Sequence, residues 1–246
     1  MHPYIAEFIG TGLLVLLGNG VVANAILKGT KGYPGNWLLI TSGWGVAVFA
    51  AVASVGQYSG AHINPAVTVG LALAGAFDWQ QVPGFIIAQF AGAFVGTTLV
   101  FLVYYKHYQI TDDPAVKLGT FATGPAIRAP GWNLLSEVVG TFVLVFAVLY
   151  FVSAGEVTVN GEAIPVGMGS IGALPIALLI FAIGMSLGGT TGYAINPARD
   201  LGPRIAHALL PIPGKGPSDW GYAWVPVVGP LIGGVLAVAF QMAVGS

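Results

Sequence analysis

The chain has no cysteine, which excludes disulfides, thiolate metal sites and a cysteine nucleophile and leaves the redox compartment open. Charge is nearly as scarce. Only 7% of residues are charged against 56% hydrophobic, whereas a soluble domain carries roughly 25% charged residues. So little polar surface cannot meet water on all sides, and the mean hydropathy of +0.83 places the chain in a lipid bilayer as an integral membrane protein. The formal charge of −1 offers no basic footprint, so no nucleic-acid partner is expected. No basic n-region precedes the first apolar run, which outlasts a signal peptide. Residues 1–27 are therefore expected to stay as a spanning helix. Ser/His, paired-Asp and His-Glu-x-x-His arrangements are also missing, so neither an enzyme nor a cofactor or metal site is expected.

Long apolar runs dominate what is present. A spanning helix needs about 20 largely apolar residues, and six stretches qualify: roughly 4–27, 37–57, 82–105, 133–154, 167–187 and 223–244. Two of the connections, 58–81 and 188–222, each contain Ile-Asn-Pro-Ala, at 63–66 and 195–198, followed by an apolar run of about three turns. Asn is a strong N-cap, and proline fits the first helical position, where its missing N–H costs nothing. Two short helices thus start at membrane depth. Ten residues rise ~15 Å, half of a ~30 Å hydrocarbon core, which predicts re-entrant loops returning as half-helices.

The halves are related. Glu7-x-x-Gly10-Thr11 opens the first span and Glu137-x-x-Gly140-Thr141 the fourth, 130 positions on, against 132 between Asn64 and Asn196. Gly92/Gly96 and Gly229/Gly233 repeat a close-packing GxxxG signal on the third and sixth spans. A three-span repeat crosses the bilayer an odd number of times, so the second copy is inverted. The expected fold is an all-α membrane protein of six spans and two half-helices. It forms a single channel domain with repeats over about 1–105 and 133–246, joined by a 106–132 loop.

Non-helical backbone at that depth survives where it lines water or is buried in protein. Gly60, Ala61 and His62, with Gly192, Tyr193 and Ala194, are candidates to present carbonyls to a lumen. His62 could face that lumen or brace the loop. If the Asn64 and Asn196 carbonyls cap their half-helices, each NH₂ group is free to donate toward the lumen, beside two helix N-termini that repel cations. Arg199, three residues after Asn196, either points its donors into the pore, snorkels to the surface or pairs with Asp200. Asp200 and Arg204 are expected to be scaffold, and Pro203 to kink or break the half-helix. Glu7 and Glu137 are either proton-relay sites or acceptors for loop N–H groups without other partners, and their symmetry favours the second role. All eight Lys and Arg residues fall in the first, third and fifth connections. By the positive-inside rule alone, the termini would lie outside the cytoplasm.

Six spans, two Asn-Pro-Ala half-helices and a Glu-x-x-Gly-Thr element in each half together resemble the aquaporin superfamily, the major intrinsic proteins, over essentially the whole chain. Asn196-Pro197-Ala198-Arg199-Asp200 resembles its glycerol facilitators. By position, the resemblance implies an aromatic/arginine filter of Trp44, Gly184, Tyr193 and Arg199, in which Gly184 leaves open the volume that a His fills in water-selective relatives. Trp44 and Tyr193 then form an apolar corner opposite Arg199. Tyr193 departs from the Phe usual in facilitators. The resemblance also implies a homotetramer in a plasma membrane, bacterial in type, with cytoplasmic termini. It implies passive passage of water and small neutral solutes: glycerol first, then dihydroxyacetone, urea and undissociated lactic acid. A coupled secondary transporter is the alternative, since transporters also use inverted repeats and broken helices.

Overall fold

The computed structural model describes residues 1–151, 155–159 and 162–245. In chain order, α1 (Pro3–Ile26) and α2 (Trp37–Ser59) lead into the half-helix α3 (Pro65–Leu73), and α4 (Val82–Val103) completes the first half. Two short helices come next, α5 (Tyr105–Ile110) and α6 (Pro114–Gly119), before α7 (Pro130–Tyr150). An antiparallel pair, β1 (Gly155–Val159) and β2 (Glu162–Val166), precedes a 3-10 turn (Gly169–Ala173) that runs into α8 (Leu174–Ser186). The half-helix α9 (Pro197–Leu209) and α10 (Val225–Val244) complete the second half. Six of these elements are long and apolar enough to cross a bilayer, with the 3-10 turn and α8 counted as one.

Three expectations need correction. The joining segment 106–132 is not a plain loop, because α6 and most of α5 lie within it. The fourth span stops at Tyr150, and the last residues expected in it, 152–154, lie outside the described residues. The connection after it carries the β hairpin in an otherwise helical fold. Its sequence signal was available: alternating runs at 156–159 and 162–164 flank the dipeptide Asn160-Gly161, which favours a two-residue turn.

The GxxxG pairs bring backbones together. A Cβ at Gly92 would stand 2.2 Å from the Phe8 carbonyl oxygen, and one at Gly96 2.4 Å from that of Gly12. So α4 lies directly on α1. In the second half, a Cβ at Gly233 would stand 2.4 Å from the Val138 oxygen, and one at Gly229 2.6 Å from the Glu137 Cβ, so α10 lies on α7 in the same way. No larger residue fits at these positions without separating the helices, and close backbone approach is what holds helices together in lipid. Outside the spans, Lys28 and Asp112 pair at 2.5 Å. Their hydrogen bond raises the pKa of the lysine and lowers that of the aspartate.

Candidate functional site

Each re-entrant loop is held by one glutamate. Glu7 accepts from the Ser59 hydroxyl (2.7 Å), from the backbone N–H of His62 (2.9 Å) and Ile63 (2.7 Å), and from Gln89 Nε2 (2.7 Å). Glu137 accepts from the Thr191 hydroxyl (2.7 Å) and from the N–H of Ala194 (3.0 Å) and Ile195 (2.8 Å). These loop N–H groups have no helix or strand to bond with, and burying them unpaired would cost about 1–3 kcal/mol each. The structural role of the two acids is therefore the one present.

The loops share their backbone geometry. Gly60, Ala61 and Ile63 have φ of 79°, 49° and 43°, and Gly192, Tyr193 and Ile195 have 81°, 37° and 43°. A β-branched residue in the left-handed region is strained, at about 1–3 kcal/mol. Both isoleucines are held there at each end. Their N–H groups donate to the glutamates, and their carbonyls accept from the opposite asparagine: Asn64 Nδ2 donates to Ile195 O and Asn196 Nδ2 to Ile63 O, each at 2.8 Å. The asparagine carbonyls cap the half-helices as expected, Asn64 at Ala66 N (2.9 Å) and Asn196 at Ala198 N (3.0 Å) and Arg199 N (3.2 Å). The NH₂ groups are not wholly free, however. Each amide spends one N–H on the other loop and keeps one.

A cavity of about 200 Å³ runs past both asparagines. Gly60, Ala61, His62, Tyr193 and Ala194 line it, as do Trp44 and Arg199, while Gly184 and Gly192 are not among its lining residues. Aliphatic side chains also line it, among them Val48, Val52, Leu144, Val148 and Ile180. His62 does both things considered for it: it lines the cavity, and its Nδ1 lies 3.2 Å from the Thr68 hydroxyl.

The filter candidates come together, but not in the expected arrangement. Arg199 is not opposite Trp44; its guanidinium carbon sits 4.0 Å above the centre of the Trp44 ring. It neither snorkels nor pairs with Asp200, since it is buried and Asp200 binds Arg204 instead, at 2.9 Å. The volume beside Gly184 is not open either. A Cβ there would meet Tyr193 Cζ at 2.8 Å and Thr41 Cγ2 at 2.9 Å, so the Tyr193 ring fills the space a side chain would take. The Tyr193 hydroxyl is buried with no hydrogen-bond partner among the described residues.

Asp200 and Arg204 form the scaffold behind Arg199. Asp200 accepts from the Thr123 N–H and hydroxyl, both at 2.7 Å, and Arg204 donates to the carbonyls of Thr123 (2.8 Å) and Ser218 (2.9 Å). Pro203 does not break α9, which continues to Leu209. Four residues that shape this region went unnoticed in the sequence: Gly18, Asn19, Gln89 and Thr123. Asn19 and Gln89 had a readable signal, as lone polar side chains inside apolar spans.

The profile of the family described as Major intrinsic protein matches residues 1–240. The chain belongs to the major intrinsic protein family. Over 239 residues this major intrinsic protein is 54% identical to a probable glycerol uptake facilitator protein of Thermotoga maritima, covering 97% of each chain. It is 51% identical over 243 residues to the glycerol uptake facilitator protein of Bacillus subtilis, covering 99% of this chain and 85% of that one. Among solved structures it is similar to the aquaglyceroporin from Plasmodium falciparum, with a TM-score of 0.81 and 32% identity, covering 98% of this chain and 95% of that one. Like that structure, this major intrinsic protein is a multi-pass membrane protein of the inverted-repeat aquaporin fold.

Proposed function

We propose that the protein is a passive channel for glycerol and for water, dihydroxyacetone, urea and undissociated lactic acid, with each protomer of a homotetramer carrying its own pore. The observation that carries this reading is the mixed lining of the cavity, which combines the loop residues around Asn64 and Asn196 and the Arg199 side chain with aliphatic residues such as Val48, Val52, Leu144 and Ile180. A polyol matches such a lining, with hydroxyls toward the loop backbone and guanidinium and carbons toward the aliphatics. Arg199 on the Trp44 face supplies donors beside an apolar plate. At the centre, the remaining N–H of Asn64 and of Asn196 orients the solute oxygen, and the two helix N-termini repel protons and cations.

The channel domain spans 1–246, with repeats at about 1–105 and 133–246. Its bacterial facilitator relatives support a bacterial plasma membrane. Cytoplasmic termini accord with the family's fold rather than the charge count. Lys117, Arg199 and Arg204 are buried and the Lys215 ammonium binds the carbonyls of His207, Ala208 and Leu210, so half of the cations serve the interior rather than free loops. Protease accessibility of a C-terminal tag in oriented vesicles checks this orientation. The coupled transporter loses its support, because the acids available to bind a coupling ion, Glu7 and Glu137, are committed to the loops.

Osmotic light scattering on reconstituted vesicles tests the reading with water, glycerol and urea. Wild-type vesicles are expected to pass all three, with glycerol favoured, and mercurial reagents should not inhibit, since the chain has no cysteine. Gly184→His expels the Tyr193 ring and is expected to lower glycerol flux about tenfold while water flux falls less. Unchanged fluxes of both would overturn the filter assignment. Lactic acid flux should fall as pH rises above the acid's pKa, because only the neutral form passes.

A further inference from the structure

Asn19 lies within α1, far in sequence from Gly184, Tyr193 and Arg199, and is 1% exposed. Its Nδ2 donates twice, to the Thr97 hydroxyl on α4 (3.1 Å) and to the Phe121 carbonyl (3.2 Å). Both N–H groups are thus used, and turning the amide over would forfeit the bond to the Phe121 carbonyl, which can only accept, and set two oxygens against each other. The Oδ1 is thereby fixed toward Arg199, whose Nη1 donates to it at 3.4 Å. The neighbouring residue backs the other half of the same stack: a Cβ at Gly18 would stand 2.3 Å from Trp44 Cζ3. Consecutive residues of α1 therefore support the tryptophan ring and the guanidinium that rests on it.

We infer that Asn19 is a positioning residue that limits the lateral travel of the Arg199 guanidinium over Trp44 and so sets the width of the filter. The inference rests on Arg199 being a filter residue. At 3.4 Å the contact is long for a hydrogen bond, which suits a restraint. A neutral acceptor limits the guanidinium without pairing its charge, whereas a carboxylate at this position would neutralise it. The two bonds to Thr97 and Phe121 keep the acceptor itself from moving.

The test uses the reconstituted full chain and reads the ratio of erythritol to glycerol flux, which the quantity of folded channel does not affect. Asn19→Val removes the restraint and is expected to raise this ratio about threefold, the effect of losing one weak hydrogen bond. Arg199→Ala is expected to raise it further, and adding Asn19→Val to Arg199→Ala should change nothing more. If Arg199→Ala shifts the ratio and Asn19→Val does not, Asn19 is only structural and the inference fails. If the two shifts multiply, it fails as well, because Asn19 then acts independently of Arg199. If Arg199→Ala itself leaves the ratio unchanged, the filter reading fails instead. Thr97→Val, which frees one anchor of the amide, covers the case in which Asn19→Val does not fold. A smaller rise in the ratio is expected for it, and an unchanged ratio overturns the inference.

Discussion

The two re-entrant loops are nearly superposable in their chemistry up to the asparagines and unlike beyond them. On the matched part, a glutamate from the first span of each half binds two loop N–H groups and a hydroxyl, three residues take positive φ, and each asparagine reaches the other loop's isoleucine carbonyl. The half-helices themselves are unmatched. α3 has 9 residues and continues with Val67 and Thr68, whereas α9 has 13 and continues with Arg199 and Asp200. The first loop adds Gln89 to its glutamate, while the second loop instead anchors α9 through Thr123, Asp200 and Arg204. Symmetry therefore serves what both sides of the pore need equally, a polar centre between two helix N-termini. On the proposed filter reading, asymmetry serves discrimination, which needs only one selective point.

The largest effect that could break this comparison comes from the glutamates. Glu7→Ala and Glu137→Ala each orphan two buried N–H groups, a loss of about 2–6 kcal/mol that relaxation of the strained isoleucine offsets only in part. Both are expected to abolish folded channel, read as melting in detergent. Wild-type melting of either would show that the loops are held differently. Next come the paired amides. Asn64→Asp and Asn196→Asp keep the cap acceptor, lose the cross-loop donor and place negative charge at the centre, at about 1–3 kcal/mol each. Equal cation leak is expected from both, measured as vesicle conductance. Strongly unequal leak would mean that the centre is not symmetric. In the asymmetric region, Gly18→Leu should push the Trp44 ring from its seat and lower glycerol flux about tenfold, with no counterpart at the matching place in the second half. The smallest effect is that of Gln89→Met, which removes the donors to Glu7 and Thr68 but also a buried carbonyl that has no partner among the described residues. Melting should drop by about 1 kcal/mol of stability, and the erythritol-to-glycerol ratio should not move. A shift in selectivity would show that the first loop, too, takes part in discrimination.

Much of the fold was legible because its signals are local. The Asn-Pro starts at Asn64 and Asn196, the apolar lengths of the six spans and the GxxxG pairs each depend on residues close together in the chain. Pro203 misled for the same reason. Locally it argues for a kink or a break, yet α9 continues through it to Leu209, with Arg204 bonded back to Asp200 and across to Thr123. The strands 155–159 and 162–166 are short, and their local signal, alternation at 156–159 beside Asn160-Gly161, is weaker than that of the long apolar runs around them.

Arg199, Trp44 and Tyr193 could be named from their positions, but not their arrangement. The stacking of Arg199 on Trp44 depends on Gly18 and Asn19 of α1, and the seat of the Tyr193 ring depends on Gly184 of α8. By itself the sequence determined the membrane class, the number of crossings, the two half-helix starts and the acids that hold the loops. Each of these comes from hydropathy, capping or the solvation of an isolated charge within a short stretch. Only the tertiary structure decided that each asparagine gives one N–H to the other loop, that Tyr193 occupies the space beside Gly184, and that Asn19 faces Arg199. These contacts join residues 131 or more positions apart in two cases, and in the other the Tyr193 ring takes the space that the missing side chain of Gly184 leaves. Packing settles such questions, and no local pattern encodes them.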